Sequence, residues 1–342
     1  MSTPRVYVIH ENPEWFPPLA AAFQAEGVPV EEILLTEGQI DLAAEPEPGV
    51  YWSRMSASSH TRGHEHSKEY TRAVLGWLER ADRQVVGGSH VLELEVSKVA
   101  QHGLLQQAGF DVPRTTAVFG TTTLQQAARN FTDGQDVPFI TKHNQGGKGL
   151  GVRRFDSLAE FDAYVDSPEF EAPVDGITLL QEFLTAREPF ITRLEFVGGE
   201  FVYAVRVDTS AGSFELCPAD ACEVPQTIAG AVCDVPGTET AGAPPAFSVR
   251  TEVTAAHPLV QQLRTFLADQ HVTIAGVEFM ETTDGRTVVY DINTNTNYNP
   301  AVEDAAPASG PRSIARYLGG LLDATYATGT AATAPAGAAA HA

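Results

Sequence analysis

Residues 273–293 read TIAGVEFMETTDGRTVVYDIN, two apolar runs joined across Asp284-Gly285. Asp-Gly between alternating apolar residues is a strong signal for a hairpin with a two-residue type I′ turn, and such a turn fixes the register of both strands. Counting outward from it sets Glu278 directly opposite Asp291. Period-2 alternation puts Asn293 and Asn295 on the face of Asp291 and turns Val277, Phe279, Tyr290 and Ile292 into the core. Two carboxylates directly opposite each other repel. A fold keeps such a pair at low cost when a cation or a shared proton sits between them. Two acids and an amide are hard oxygen ligands of the kind Mg²⁺ takes, with phosphates and waters completing its octahedron. A solvated face with chance acids is the plain alternative. It leaves DINTNTNYN (291–299) unexplained, because asparagine is a poor strand former and a turn rarely needs four.

The rest of the chain alternates strands and helices. RVYVI (5–9), a helix over 13–27 ending at Gly27, and VEEILL (30–35) predict a βαβ unit on a parallel sheet. VYW (50–52) continues that sheet, an amphipathic helix covers 68–81, and VVGG (85–88) closes the region. From Leu94 the pattern predicts a helix over 95–109, the strand TTAVF (115–119), a helix over 123–131 and the strand VPFITKHN (137–144). NQGGKGLG (144–151) is a loop that returns into GVRRF (151–155). Ser157 and Glu160 form a capping box. TLLQEFL (178–184) is a further strand, and 191–197 with 201–207 form a hairpin around GGE. Residues 209–247, rich in Ala, Gly, Pro and Thr, predict a loop or lid. Helices follow over 257–270 and 311–322, and the Ala-rich end (327–342) predicts a disordered tail. The 342 residues suffice for two or three packed units.

A formal net charge of −22 argues against nucleic acid or an anionic membrane as partner, since both repel an acidic surface. No signal peptide or membrane-length apolar stretch is visible. Cys217, Cys222 and Cys233 are an odd number in a long chain, which suggests a reducing, cytoplasmic setting. CPADAC has no fourth ligand nearby, so ordinary thiols are expected there rather than zinc. His60, His64 and His66 cluster in one loop, where a solvated or substrate-facing role is expected over a metal site.

The glycine loop lies between two strands. Its spacing, Gly147-x-Gly149-x-Gly151, is not the dinucleotide fingerprint, and Lys148 precedes Gly149 rather than the Ser or Thr of a Walker A loop. A glycine-rich hairpin tip can lie over phosphates and offer backbone N–H groups at close approach. A flexible turn is the bland reading. Lys142 closes the preceding strand, a position from which an ammonium could reach a phosphate under the loop. A protein kinase would share these parts, but the chain has no HRD or DFG.

In order along residues 50–300, these pieces resemble the ATP-grasp superfamily, in particular the RimK-like carboxylate–amine ligases. FITKHNQGGKGLGV resembles its strand, lysine and phosphate-covering loop, and LLQEFL its adenine-binding hinge. ITRLEFVGGEFVYAVRV resembles its arginine hairpin, and GVEF with DIN its metal-binding acids and asparagine. The resemblance implies an α/β fold: a parallel βαβ substrate domain (1–94) followed by two α+β lobes (95–184 and 185–326) that clasp ATP. It implies ATP contacts by Lys98, Lys142, Gly146, Gly147, Gly149 and the hinge Gln181, Glu182, Phe183 and Leu184, with Glu188 toward the ribose. Glu278, Asp291 and Asn293 would bind Mg²⁺, with Mn²⁺ an alternative. Arg193 and Arg206 would lie near the transferred phosphate. Arg54, Asn295 and Asn297 would face substrate. The implied reaction joins a carboxylate, such as that of glutamate, to an amine through an acyl phosphate. A peptide or carrier-bound acceptor, a phosphotransferase and an ATP-binding protein without catalysis are the alternatives. Family members are often dimers or tetramers, which makes a homo-oligomer compatible with the resemblance.

Three departures stand out. The order of the metal acids is reversed, with Glu278 before Asp291. Ile191 replaces an acid two residues before Arg193. FELCPADACE replaces the usual amide- and glycine-rich stretch after Arg206.

Overall fold

In a computed structural model of the chain, residues 3–147, 149, 151–210 and 245–326 are described. Most of the segment expected as a lid, the three cysteines, Lys148 and the Ala-rich tail lie outside the described residues.

The N-terminal pattern forms a four-stranded parallel sheet. β1 (Arg5–His10) lies between β2 (Val30–Leu34) and β3 (Gly49–Ser53), with β4 (Gln84–Val86) beyond β3. The crossovers carry α1 (Pro17–Ala25) and α2 (Ser67–Arg80). Both faces of β1 and β3 are buried, as a parallel sheet requires. Val6, Val8 and Trp52 pack on Phe23 of α1 and on Ile314 and Leu318 of α9 (Gly310–Tyr326). Tyr7, Ile9 and Tyr51 pack on Leu75 and Leu78 of α2. The last helix therefore closes the first sheet.

The predicted helix over 95–109 forms from residue 98 onward, and a separate short helix that the pattern did not show precedes it. α3 (Ser89–Glu95) ends and α4 (Lys98–Gln107) begins at Ser97, whose extended backbone and side chain, accepting from Ala100 N, make it an N-cap. A second, antiparallel sheet follows: β5 (Thr115–Phe119), β8 (Ile177–Glu182), β6 (Phe139–His143) and β7 (Arg153–Phe155), in that spatial order. α5 (Leu124–Phe131) and α6 (Leu158–Val165) cover it through an aromatic cluster of Phe131, Phe139, Phe155, Phe161 and Tyr164. Ser157 caps α6 and accepts from Glu160 N at 3.2 Å.

The third sheet is antiparallel in the order β11 (Phe247–Val249), β10 (Glu200–Asp208), β9 (Phe190–Val197), β12 (Ile274–Glu281) and β13 (Thr287–Asn293). One face buries Leu194, Phe196, Val277 and Phe279 against Leu263 and Leu267 of α7 (Pro258–Asp269). The other face looks into a cleft.

The β12–β13 turn differs from the expected type. Type I′ needs positive φ at both central residues, yet only Gly285 has it (φ 88°), while Asp284 does not. Thr282 bonds Arg286 across a three-residue loop, with Gly285 N donating to Thr282 O at 3.1 Å. That shifts the register by one at Glu281↔Thr287, Met280↔Val288 and Phe279↔Val289. A bulge at Tyr290 restores it, so Glu278 does sit opposite Asp291. The same bulge corrects a second expectation. A bulged residue leaves the alternation, and Tyr290 faces the cleft instead of the core.

Candidate active site

Helix α4 sets the geometry of the cleft. β13 is an edge strand, so its outward backbone groups need partners. Gln101 supplies two: Nε2 donates to Ile292 O at 2.8 Å, and Oε1 accepts from Ile292 N at 3.0 Å. His102 Nε2 lies 3.1 Å from Tyr290 O. Lys98, one turn earlier on the same helix face, then reaches Asp291, with Nζ 2.7 Å from Oδ1. Asn144, at the start of the glycine loop, accepts from Val99 N at 2.9 Å and so holds that loop to the N-terminus of α4.

A cavity of about 460 Å³ lies between the second and third sheets, within the usual size for a small-molecule site of roughly 300–1,000 Å³. At one end it is an apolar slot of Ile140, Val152, Ile191, Met280 and Leu184, with Arg154 stacked 4.1 Å over Phe183. The Glu182 carboxylate is engaged elsewhere, by Arg286 at 3.0 Å and Arg114 N at 2.9 Å. Gln181 is buried, and its Oε1 has no partner among the described residues. An unspent acceptor in an apolar slot suits a flat ring with an amino group.

At the other end Lys98, Lys142, Arg193, Glu278, Tyr290, Asp291 and Asn293 converge. Burial raises Asp291, but Lys98 and Lys142 outweigh it and hold the carboxyl at about 2. Burial, and then Asp291, push Glu278 up. Burial, and then Lys98, bring the Lys142 ammonium down to about 8. Asn293 Nδ2 lies 3.4 Å from Glu278 Oε1. Glu278, Asp291 and Asn293 form an all-oxygen donor set that fits a hard divalent cation. No three acidic, His or Cys side chains converge among the described residues.

Arg193 crosses this end. Its Nε lies 2.6 Å from Glu195 Oε1, and its Nη1 lies 3.4 Å from Glu278 Oε1. The guanidinium lies flat over Gly276, where an added Cβ would stand 2.5 Å from Nε and Nη2. Gly146 and Gly147 line the cavity beside it, as does Gly149, whose φ of 75° suits glycine.

A second, smaller cavity of about 50 Å³ adjoins the first and shares Lys98, Gly146, Gly147, Arg193 and Asn293 with it. The first-domain loop (Ser56–Ser58 with Trp15), Glu95, Asn295 and Asn297 close it. Arg54 is buried rather than presented to this space. It donates to Thr296 O at 3.0 Å and Asn297 Oδ1 at 2.9 Å, and burial lowers it to about 10. It thus pins the asparagine segment to the first sheet. Asn299 caps α8 (Pro300–Ala305), accepting from Ala301 N at 2.9 Å.

Two residues expected at the site lie elsewhere. Arg206 pairs with Thr192 across β9–β10, whereas Arg193 pairs with Val205, so the two arginines point to opposite faces of the sheet. Arg206 stacks 4.3 Å over Phe190, away from the cavity. Glu188 is exposed and outside the cavity wall. The three histidines do not meet: His64 bonds Glu11 at 2.9 Å, His66 is exposed, and His60 is half-buried. Sequence reasoning missed Tyr290, Gln101, Glu95, Glu195 and Gly276. Gln101 alone left a local signal, three residues after Lys98 on one helix face.

No family model matches the sequence, and no curated protein matches it in sequence. Solved structures match in fold. D-cycloserine synthetase DcsG superposes with a TM-score of 0.63 at 16% identity, over 93% of this chain and 99% of its own. A RimK domain ATP-grasp protein from Sphaerobacter thermophilus gives 0.60 at 17%, over 92% and 98%. The ATP-grasp ligase PsnB, complexed with minimal precursor, Mg and ADP, gives 0.61 at 14%, over 93% and 98%. The chain has the ATP-grasp fold. No helix among the described residues is long and apolar enough to cross a membrane.

Proposed function

We propose that this ATP-grasp chain is an ADP-forming carboxylate–amine ligase that works through an acyl phosphate. The observation that carries the reading is Arg193, whose guanidinium lines both cavities and lies on Glu278. One cavity then holds ATP, with adenine in the apolar slot against the Gln181–Leu184 backbone and the phosphates under Gly146, Gly147 and Gly149. The other holds substrate beside the transferred phosphoryl group.

The acid is an amino acid such as glutamate, in keeping with the sequence resemblance. Its carboxylate oxygen attacks the γ-phosphorus, and the bond to the ADP oxygen breaks. The amine nitrogen attacks the acyl carbon, phosphate leaves with the C–O electron pair, and the nitrogen gives up a proton to solvent. Such chemistry is mostly positioning and charge neutralisation. Lys98 and Lys142 offset phosphate charge, and Arg193 meets the charge that develops between donor and acceptor. Mg²⁺ held by Glu278, Asp291 and Asn293 supplies further neutralisation of the phosphates when bound. Arg206 and Glu188 have no part in this scheme, and Arg54 acts by positioning Asn297.

A peptide acceptor is the rival reading, supported by likeness to PsnB, which was solved with its precursor. The 50 Å³ of the second cavity favours a small acceptor. The test is release of ADP and phosphate with Mg²⁺ and ATP across amino acids, singly and in pairs, with products read by mass spectrometry. A product equal in mass to two substrates less water supports the proposal. ATP binding without turnover on any small pair counts against it.

A further inference from the structure

The second cavity holds two oxygen acceptors, Glu95 and Asn295, with no cation in direct contact. Glu95 is buried, and its carboxylate accepts from Thr294 N at 2.7 Å, Thr294 Oγ1 at 2.8 Å and Ala57 N at 3.4 Å. Among the described residues no Lys, Arg or His lies within ion-pair distance of it; burial pushes its carboxyl up, and Lys98 acts on it only through space. Asn295 is only 9% exposed, and its Oδ1 accepts no hydrogen bond among the described residues. Both residues line the same small space. The cations around it are committed: Lys98 to Asp291, Arg193 to Glu195 and Glu278, Arg54 to Thr296 O and Asn297. Lys98 and Arg193 line the same space, so what Glu95 and Asn295 Oδ1 lack is a positively charged donor in direct contact.

We propose that this cavity is the acceptor site and takes a compact primary ammonium, its N–H groups donating to Glu95 and Asn295 Oδ1; the bound ammonium gives one proton to solvent before its nitrogen attacks. The inference rests on the ligase reading for its name as acceptor site, but not for the binding itself. Size sets the class. A single water needs roughly 10–15 Å³ by the same kind of measure, so about 50 Å³ admits an amine with few heavy atoms. The amino end of a short-chain amino acid fits, and a bulky residue of a folded or peptide acceptor does not. Trp15 and the backbone of Gly146 and Gly147 form walls that a larger group would have to displace.

The test is titration of the full chain, followed by NMR, with methylammonium, ethylammonium, L-phenylalaninamide and acetate. Each titration is run with and without AMP-PNP and Mg²⁺. Methylammonium and ethylammonium are expected to bind, and L-phenylalaninamide and acetate to fail. Asn295→Asp, which adds a charge, should tighten methylammonium at least threefold. Asn295→Leu should weaken it at least tenfold, with melting temperature and AMP-PNP affinity held as controls of folding. The proposal is overturned if acetate or L-phenylalaninamide binds as well as methylammonium. It is also overturned if no amine binds, or if both folded Asn295 variants leave the amine affinity unchanged. AMP-PNP affinity measured alone tests the nucleotide reading separately. Its loss with ammonium binding intact would strike the ligase reading and leave this site standing.

Discussion

Gly276→Ala isolates the placement of Arg193 without removing any functional group. Gly276 has no positive φ, so its backbone tolerates alanine. The new Cβ would stand 2.5 Å from Arg193 Nε and Nη2 and 2.6 Å from Cζ. Ordinary carbon contacts begin near 3.5 Å, so the guanidinium must move by roughly 1 Å. The 2.6 Å bond to Glu195 would then stretch to a length at which it no longer counts as a hydrogen bond. Misplacing a catalytic group by about 1 Å can cost roughly 10²-fold in rate, and losing one preorganised donor costs about 10²–10³-fold, near 3–4 kcal/mol. We therefore expect kcat for ADP release to fall about 100-fold. The affinity for AMP-PNP with Mg²⁺ should stay within about threefold, because the apolar slot is untouched. Overpacking costs about 1–3 kcal/mol in a rigid core; here the far end of a side chain can yield toward the cavity, so the loss belongs at the low end. The double variant with Arg193→Ala should be no slower than Arg193→Ala alone, since both changes act through one group. Wild-type kcat in Gly276→Ala, or a multiplicative loss in the double variant, would refute the reasoning.

Nucleotide affinity should depend on pH through Lys142, whose ammonium is held at about 8 by burial and Lys98. The charged form binds phosphate, so affinity is full below about 8 and weakens up to roughly tenfold per unit above it. Lys142→Arg keeps its charge throughout, and a calorimetric pH profile of this variant should be flat. The same shift has a stability sign: the folded state carries the burden of that buried charge below about 8, and the burden lifts as pH rises toward roughly 10.4. Glu278→Gln relieves repulsion from Asp291 and should raise the melting temperature of the metal-free protein by about 2–4 °C, roughly 1 kcal/mol for a chain of this size, while abolishing turnover. A lower melting temperature would show that Glu278 is net stabilising. Arg206→Ala should change kcat less than about threefold, since Arg206 lies on the sheet face away from Arg193. A hundredfold loss of kcat there would place it back in the chemistry.

The sequence by itself determined much of the scaffold, because the signals are local. Alternation and the Asp284-Gly285 turn announced the β12–β13 hairpin, and the two acids do lie opposite each other. That agreement hides two errors that cancel, a longer turn and a bulge. Sequence could not see the bulge, because nothing in TVVY marks Tyr290 as the residue that leaves the ladder. The strand alternating with helix gave the parallel first sheet, and the spacing of Gly147, Gly149 and Gly151 gave the loop between β6 and β7. The asparagine row was legible as an oddity, yet its members part ways: Asn293 at the acid pair, Asn295 in the small cavity, Asn297 on Arg54 and Asn299 as a helix cap. Only the tertiary structure decided those partners, and only it separated Arg193 from Arg206. Which sheet face meets the cleft is fixed by strand pairing and by α4 lying along β13, where Gln101 bonds Ile292 across 191 residues of chain. Turns, caps and periodicity depend on neighbours a few residues away. The site depends on which surfaces meet, and that is set by burial and hydrogen-bond completion summed over the whole fold.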